Sequence, residues 1–210
     1  RRRDRLETLA YKGDLPNLWR GFRDDGFRRA LAAIGVDLRL DLRTPDDGAP
    51  LRMHDYRDVD AVIAARNLTE EDVKVKPASK LVNAWLAGVP ALLGPEPGFQ
   101  ELRSSALDYI EITSPQDAVR ALERLKRDPA LARQMRERGK ERAQEFTVDA
   151  LVRRWVGLLN GPVADRYAEW ARAGAARKLA HWVASAFAEK RAKAVAARNR
   201  EFGRRPFDGD

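Results

Sequence analysis

Polar residues suited to holding a phosphorylated ligand lie close together between Lys76 and Lys80. These two lysines supply ammonium groups, and Ser79 stands where an apolar helical pattern begins, as a helix N-cap would. Ammonium groups and the backbone N–H groups of a helix start stabilise anions without a metal ion. The three residues therefore predict a diphosphate site, with solvated loop lysines as the alternative interpretation.

Asn83 extends this candidate site along the predicted helix. It lies one helical turn after Ser79 and so falls on the same helix face. Its side-chain amide suits a hydrogen bond to a ribose hydroxyl. The flanking residues Val82 and Trp85 are apolar, which favours a role for the polar residue between them. A satisfied asparagine at a helix surface is the alternative.

A loop after a short apolar strand adds three candidates. Ala91–Leu93 is predicted as a buried strand, and the loop Pro95–Gly98 follows it. Loops at the carboxyl ends of parallel strands bind phosphorylated ligands. Gly98 belongs to this loop, Phe99 is a candidate for stacking on the ligand, and Glu101 is a candidate for contacting a sugar or ribose. Phe99 as a packing anchor and Glu101 as a turn cap are the alternatives.

Three further residues are predicted at the same edge of the sheet. Lys12 and Gly13 follow the predicted first strand, Leu6–Tyr11, and a glycine there lets the backbone approach a phosphate closely. Arg66 ends the predicted strand Asp60–Ala65 and is placed to bind a diphosphate. A surface arginine after a strand is the equal alternative for Arg66.

Composition excludes several kinds of site. The 210 residues include no cysteine and only two histidines, so neither disulfides nor a zinc centre is expected. Asp58 and Asp60 form a D-x-D triplet, but it precedes its predicted strand, so we interpret both as loop and strand-entry residues. No P-loop, G-x-G-x-x-G or Ser-His-Asp pattern is present. We expect no metal and no cofactor.

The charge of the chain favours an anionic partner. The net charge is +8 and the sequence pI is about 10.0. Residues 161–210 hold eleven Lys and Arg against six Asp and Glu, so much of the excess lies in this tail. The tail also carries aromatic residues at roughly helical spacing, such as Tyr167, Trp170 and Trp182, which predicts a basic amphipathic helix. Peripheral contact with a membrane fits this pattern, while no recognition motif favours nucleic acid.

Strands alternate with helices over residues 1–160, which predicts an α/β fold with a Rossmann-like parallel sheet flanked by helices. A C-terminal helical extension, residues 161–210, forms the second predicted region. Helix starts are predicted at Ser114 and Thr147, each followed by an acidic residue in the first turn. The predicted strands are Leu6–Tyr11, Val36–Leu42, Asp60–Ala65, Ala91–Leu93 and Tyr109–Ile112.

Three short motifs resemble the C-terminal, donor-binding half of GT-B glycosyltransferases of the group 1 kind. They are Ser79-Lys80-Leu81, Leu86-Ala87-Gly88-Val89-Pro90 and Gly98-Phe99-Gln100-Glu101-Leu102, and a weaker likeness extends from Leu6 to Leu159. One retaining subgroup of that family uses two glutamates eight positions apart. Val75 and Asn83 stand at those positions here, so the resemblance supports the superfamily and not that branch.

The resemblance implies a nucleotide-sugar-binding domain, with no metal, in an enzyme that transfers a hexose or related sugar. The donor would be a nucleotide diphosphate sugar such as a UDP-sugar, and the acceptor a bacterial cell-envelope glycan. An N-terminal acceptor domain or a second subunit would supply the acceptor site, and no catalytic residue is assigned here. The expected location is the cytoplasm, including the inner face of the membrane. The alternative is a non-catalytic nucleotide-binding or interaction module that associates through its basic tail.

Overall fold

The computed structural model describes residues 5–42 and 54–202. These residues form two compact units, which divide between Ala143 and Gln144. The first unit contains a β-sheet and the second is helical. The domain boundary predicted after residue 160 stays a prediction. In the structure, the helix before residue 160 belongs to the same compact unit as the tail.

Within the described ranges, five parallel strands build one sheet in the order β2-β1-β3-β4-β5. The strands are β1 (Thr8–Gly13), β2 (Asp37–Leu42), β3 (Ala61–Ala64), β4 (Ala91–Leu93) and β5 (Ile110–Glu111). This arrangement confirms the predicted Rossmann-like fold. The winding direction reverses between β1 and β3, and open α/β sheets bind ligands at the carboxyl edge of such a reversal.

Helices cover both faces of the sheet. Those of the first unit are α1 (Asp25–Ala33), α2 (Glu70–Lys74), α3 (Ser79–Ala87), α4 (Pro97–Glu101), α5 (Pro115–Arg127) and α6 (Pro129–Ala143). On one face, Leu9 and Tyr11 of β1 pack in a core with Leu31 of α1 and Leu122 of α5. On the other face, α3 packs against α6 so closely that a Cβ on Gly139 would lie 3.0 Å from Trp85 Cδ1.

Local capping explains several helix boundaries. The Ser114 hydroxyl accepts a hydrogen bond from Asp117 N at 3.1 Å, and the Thr147 hydroxyl accepts one from Ala150 N at 3.3 Å, so both predicted caps are confirmed. Gly88 ends α3 in the left-handed conformation, with φ of 66°. The predicted N-cap at Ser79 is wrong. Ala78 occupies the N-cap position without a side-chain capping bond, and Ser79 is the first helical residue.

Asp108 fixes the loop before β5 to α6. Its buried carboxylate accepts hydrogen bonds from Ser104 N and Ser105 N, both at 2.7 Å, and from Arg138 Nε at 3.0 Å. Burial alone would raise the pKa of Asp108, but these hydrogen bonds outweigh it and hold the pKa below its usual value. Trp85 Nε1 also donates to the Asp108 carbonyl oxygen at 2.9 Å, which joins α3 to the same anchor.

The second unit consists of α7 (Val148–Leu158), α8 (Ala164–Arg172) and α9 (Ala175–Phe202). Helical backbone continues from α7 into α8 except at Gly161, where φ of −107° and ψ of −105° produce a kink beside Pro162. The apolar stripe of α9 is limited to its first half, because Lys190 and Lys193 occupy the same helix face further along. Within the described residues, no helix combines the length and apolar character needed to span a bilayer.

Candidate functional site at the carboxyl edge of the sheet

The carboxyl ends of β1 and β3 lie side by side where the sheet reverses direction. The start of α3 reaches this edge, since Lys80 Nζ donates a hydrogen bond to the carbonyl oxygen of Lys12 near the end of β1. Arg66 follows β3 at the same edge, as predicted. The structure therefore brings the end of β1, Arg66 and the first turn of α3 together.

Gly13 is the point of closest approach in this cluster. A Cβ at this position would lie 2.8 Å from Tyr11 Oη and 3.0 Å from Lys80 Nζ, and the first of these is below any normal contact. Tyr11 cannot easily retreat, because its ring is buried and its hydroxyl donates to the Asp14 carbonyl oxygen at 2.8 Å. Position 13 therefore needs glycine, because the Tyr11 and Lys80 side chains leave no room for a Cβ. The predicted approach of a phosphate to the Gly13 backbone stays a prediction. Lys12 and Gly13 were predicted to follow the first strand, but they are the last two residues of β1.

Lys80 lies between the two strand ends. Its ammonium group sits 4.9 Å from the centroid of the Tyr11 ring, in a cation–π contact. Burial raises the pKa of Tyr11 to about 12, so the phenol is neutral at physiological pH. The half-buried ammonium group of Lys80, beside the neutral Tyr11 ring and the Lys12 carbonyl oxygen, places a positive charge at this edge.

Arg66 and Glu96 form a buried ion pair beside Lys80. Arg66 is 8% exposed and Glu96 3% exposed, and Nη1 of the Arg66 guanidinium contacts Glu96 Oε2 directly. The Arg66 guanidinium also lies 5.4 Å from the centroid of the Phe99 ring. Burial is the largest influence on Glu96 and raises its pKa to about 7, although Arg66 and Lys80 act in the opposite direction.

Glu96 is the site residue that sequence reasoning missed. Its only sequence signal is an acidic residue between Pro95 and Pro97, directly before a helix start. The predicted loop Pro95–Gly98 needs correction in the same place, since α4 begins at Pro97 with Glu96 as its N-cap residue. Proline at the first helical position explains why the helix begins there.

Phe99 and Gly98 have structural roles at this edge. Phe99 is fully buried and meets Tyr109 edge to face at 6.3 Å, so the predicted stacking of Phe99 on a ligand is wrong and its packing alternative is correct. A Cβ on Gly98 would lie 2.6 Å from the Lys76 carbonyl oxygen. Glycine therefore lets the start of α4 touch the segment that leads into α3.

Lys12 points away from the cluster. Successive strand residues face opposite sides of a sheet, so Lys12 lies on the face opposite Tyr11. Its ammonium group donates to Asp41 Oδ2 at 2.5 Å and to the Asp55 carbonyl oxygen at 2.7 Å. Burial lowers the pKa of Lys12, with Asp41 acting against that effect. The backbone of Lys12 belongs to the site, whereas its side chain joins β1 to β2.

The remaining predicted residues are more dispersed. Lys76 is half-buried, and Ser79 and Glu101 are exposed near the starts or ends of α3 and α4. Asn83 lies further along α3 and lines a cavity of about 910 Å³ at the opposite, amino-terminal edge of the sheet, beside Val59 and Val89. The structure therefore does not bring the Asn83 side chain together with Arg66 and Glu96.

The D-x-D triplet has the structural role that its position predicted. Asp60 Oδ2 accepts hydrogen bonds from Glu7 N and Thr8 N, both at 2.9 Å, and so ties the start of β3 to that of β1. Among residues 5–42 and 54–202, no three His, Asp or Glu side chains come close enough together to hold a metal ion.

Comparison with known proteins supports the resemblance seen in the motifs. Residues 54–157 match the family model described as glycosyl transferase-like. Over these residues, just under half of its length, the chain is similar to glycosyl transferases. The matched segment contains Arg66, Lys80 and Glu96, whereas Gly13 lies outside it.

The fold has a counterpart among solved structures. The crystal structure of TarM superimposes with a TM-score of 0.54 at 10% sequence identity, over 74% of this chain and 35% of the TarM chain. At that identity the likeness shows the fold, which is a Rossmann-like GT-B half, and the chain spans about a third of TarM's length. The sequence matches no curated protein significantly.

Proposed function

We propose that this chain is the donor-binding part of a glycosyltransferase and that it binds a nucleotide diphosphate sugar at the carboxyl edge of its sheet. The observation that carries the proposal is the convergence of Arg66, Lys80 and the start of α3 around Gly13. Cations and helix N–H groups at this edge of a reversing parallel sheet suit a diphosphate.

The chemistry of sugar transfer explains why such a cluster is useful. Negative charge builds on the diphosphate as the bond to the sugar breaks, so fixed positive groups lower the barrier. Arg66 and Lys80 are held by β3 and α3, and this removes the cost of ordering two long side chains when the ligand binds. These two residues are therefore assigned to the diphosphate, and no catalytic base is assigned.

Other parts of the proposal concern the whole enzyme. An acceptor glycan, such as one of the cell envelope, would bind to an N-terminal acceptor domain or to a second subunit. The identity of the base, with uridine one candidate, and a cytoplasmic location belong to the same proposal. The chain covers 35% of the TarM chain, which leaves room for an acceptor-binding part in a protein of that size.

Isothermal titration of the chain with UDP, GDP, ADP and dTDP tests the proposal. We expect saturable binding of one nucleotide, and we expect Lys80→Ala to weaken it by roughly tenfold or more, as loss of a charge-assisted contact does. Lys140→Ala is the matched control, because that lysine pairs with Glu137 on an exposed part of α6. Absence of binding by all four nucleotides would overturn the proposal. Asn83→Ala reports separately on the predicted ribose contact.

A second candidate function is association with an anionic membrane surface through the second unit. Trp182 and Phe187 are 69% and 70% exposed, and they lie among the basic residues of α9. Exposed aromatic rings beside Lys and Arg suit the interface of an anionic bilayer. Co-sedimentation with phosphatidylserine vesicles, compared with neutral phosphatidylcholine vesicles, tests it. Equal recovery with both would contradict it.

A further inference from the structure

The Glu96 carboxylate is buried but only half satisfied. One oxygen, Oε2, contacts Arg66, while Oε1 has no hydrogen-bond partner among residues 5–42 and 54–202. The residue is 3% exposed, so bulk water does not replace the missing partner. A buried oxygen left without a donor is costly, so its presence calls for an explanation.

The groups around Glu96 are mostly cationic. Arg66 approaches from the end of β3, Lys80 from α3 and the Tyr11 phenol from β1. Burial nevertheless dominates and raises the pKa of Glu96 to about 7. This carboxyl group therefore gains or loses a proton close to neutral pH, whereas the Tyr11 phenol stays neutral.

Arg66 has two competing anionic partners if the proposed function is correct. In the structure its guanidinium is engaged by Glu96 and by the face of the Phe99 ring. A diphosphate that also used Arg66 and Lys80 would lie beside the Glu96 carboxylate, and two negative charges in one buried site repel each other. A proton on Glu96 removes that repulsion. It also turns the unpartnered Oε1 into a hydrogen-bond donor.

We propose that Glu96 receives the donor as a neutral carboxylic acid, donating a hydrogen bond from Oε1 to a diphosphate oxygen while Arg66 turns from Glu96 to the diphosphate. This inference rests on the proposed function, because it assigns Glu96 to the same diphosphate. One proton from solvent is taken up by Glu96 when the donor binds above neutral pH, and no covalent bond forms or breaks.

The test is a titration with the nucleotide sugar whose base is selected by the nucleotide panel, from pH 6 to pH 8.5. A nucleotide sugar is the right probe, because a nucleoside diphosphate has a terminal phosphate that itself titrates near pH 6. Above pH 7 we expect the affinity to fall by roughly tenfold per pH unit. Titrations in buffers of different ionisation enthalpy should show net uptake of about one proton per ligand at pH 8.5.

Two substitutions separate the proposed role from a structural one. Glu96→Gln keeps the shape and offers an amide donor, so it should bind at pH 8.5 as tightly as the wild type does at pH 6, without proton uptake. Glu96→Ala lacks that donor and should bind more weakly at every pH. Glu123→Gln, on an exposed part of α5, is the matched control and should follow the wild type.

Each outcome decides between the two proposals. If the wild type binds with an affinity that is independent of pH and without proton uptake, the role of Glu96 is overturned while the donor site stands. The role is also overturned if Glu96→Gln, folded by circular dichroism, binds more weakly than the wild type at pH 6. No binding by the wild type at any pH instead overturns the proposed function.

Discussion

At the scale of single residues, Glu96 and Gly13 give the carboxyl edge its character. Glu96 places a carboxyl group in a nearly dry position between Arg66 and Lys80, where burial favours the neutral acid. Gly13 leaves the space that the Lys80 ammonium group and the Tyr11 hydroxyl occupy. The burial of Glu96 costs stability, and the crowding at Gly13 restricts that position to glycine. Both kinds of feature are common at binding sites.

Glu96 should make the chain less stable as pH rises. Its pKa is raised from 4.5 to about 7 in the folded state, so the folded state binds the proton more tightly than the unfolded state does. The free energy of unfolding therefore decreases as pH rises from about 4.5 to 7, by up to about 3 kcal/mol. We expect Glu96→Gln to remove most of this decrease and to be more stable than the wild type at pH 8. Urea unfolding between pH 5 and 8 measures both. Parallel curves for the two proteins would contradict the burial of an ionisable Glu96.

Gly13 and Gly157 should respond in opposite directions to alanine. Gly13→Ala forces a methyl group against Tyr11 Oη, and we expect it to cost about 1–3 kcal/mol. Gly157→Ala is the control, because the residue is inside α7 and, apart from that helix's own backbone and the two chain neighbours, no atom of the described residues lies within 4 Å of the added Cβ. There alanine should gain about 0.5–1 kcal/mol through helix propensity. Urea unfolding measures the free energy of unfolding of both variants. An unchanged value for Gly13→Ala would mean that the side chains around Gly13 are less closely packed than the structure shows.

The site was only partly predictable from single residues. The sequence places Gly13, Arg66 and Lys80 at one edge, because the ends of parallel strands and the start of the next helix meet there. Glu96 has no periodic signal, and its burial depends on Arg66, which is 30 positions earlier in the chain. Phe99 was ambiguous for a similar reason, since only the tertiary structure shows that Tyr109 covers its ring.

At the scale of elements, the sheet order brings the site together and short contacts fix the helices. Strand and helix alternation was enough to predict the parallel sheet. A Ser or Thr followed by an acidic residue was enough to predict the caps at Ser114 and Thr147. The start of α4 was not predictable, because a loop with two prolines and a glycine is equally typical of an irregular segment. Gly98 explains why the helix starts at Pro97, since a residue without a side chain lets α4 begin against the Lys76 carbonyl oxygen.

We expect Asp108 to stabilise the packing of α6 against the loop before β5. Asp108→Asn removes a buried charge that accepts hydrogen bonds from Ser104 N, Ser105 N and Arg138, so we expect a loss of about 2–4 kcal/mol at pH 7. The pKa of Asp108 is lowered, so its contribution is present above the unfolded-state pKa and disappears as pH falls below it. The difference between variant and wild type should therefore shrink near pH 3. Asp25→Asn, exposed at the start of α1, is the control and should change little. A loss for Asp108→Asn that is equal at pH 3 and pH 7 would contradict the account.

At the scale of the whole molecule, the proposed donor site and the cavity lie at opposite edges of the sheet in the described part of the first unit. The carboxyl edge holds Arg66, Lys80 and Glu96, and the amino-terminal edge holds the cavity that Asn83 lines. Motif and composition pointed to one site, because the sequence put Asn83 and Lys80 on one helix without showing which edge each side chain reaches. The proposed function depends on the first of these two places.

A crystal structure of the chain soaked with the nucleoside diphosphate that binds in the titration panel tests this claim most directly. The account predicts diphosphate density at the carboxyl edge, within hydrogen-bond distance of Lys80 Nζ and the Arg66 guanidinium. Density for the nucleotide in the amino-terminal cavity beside Asn83, with the Arg66–Glu96 pair unchanged, would contradict it.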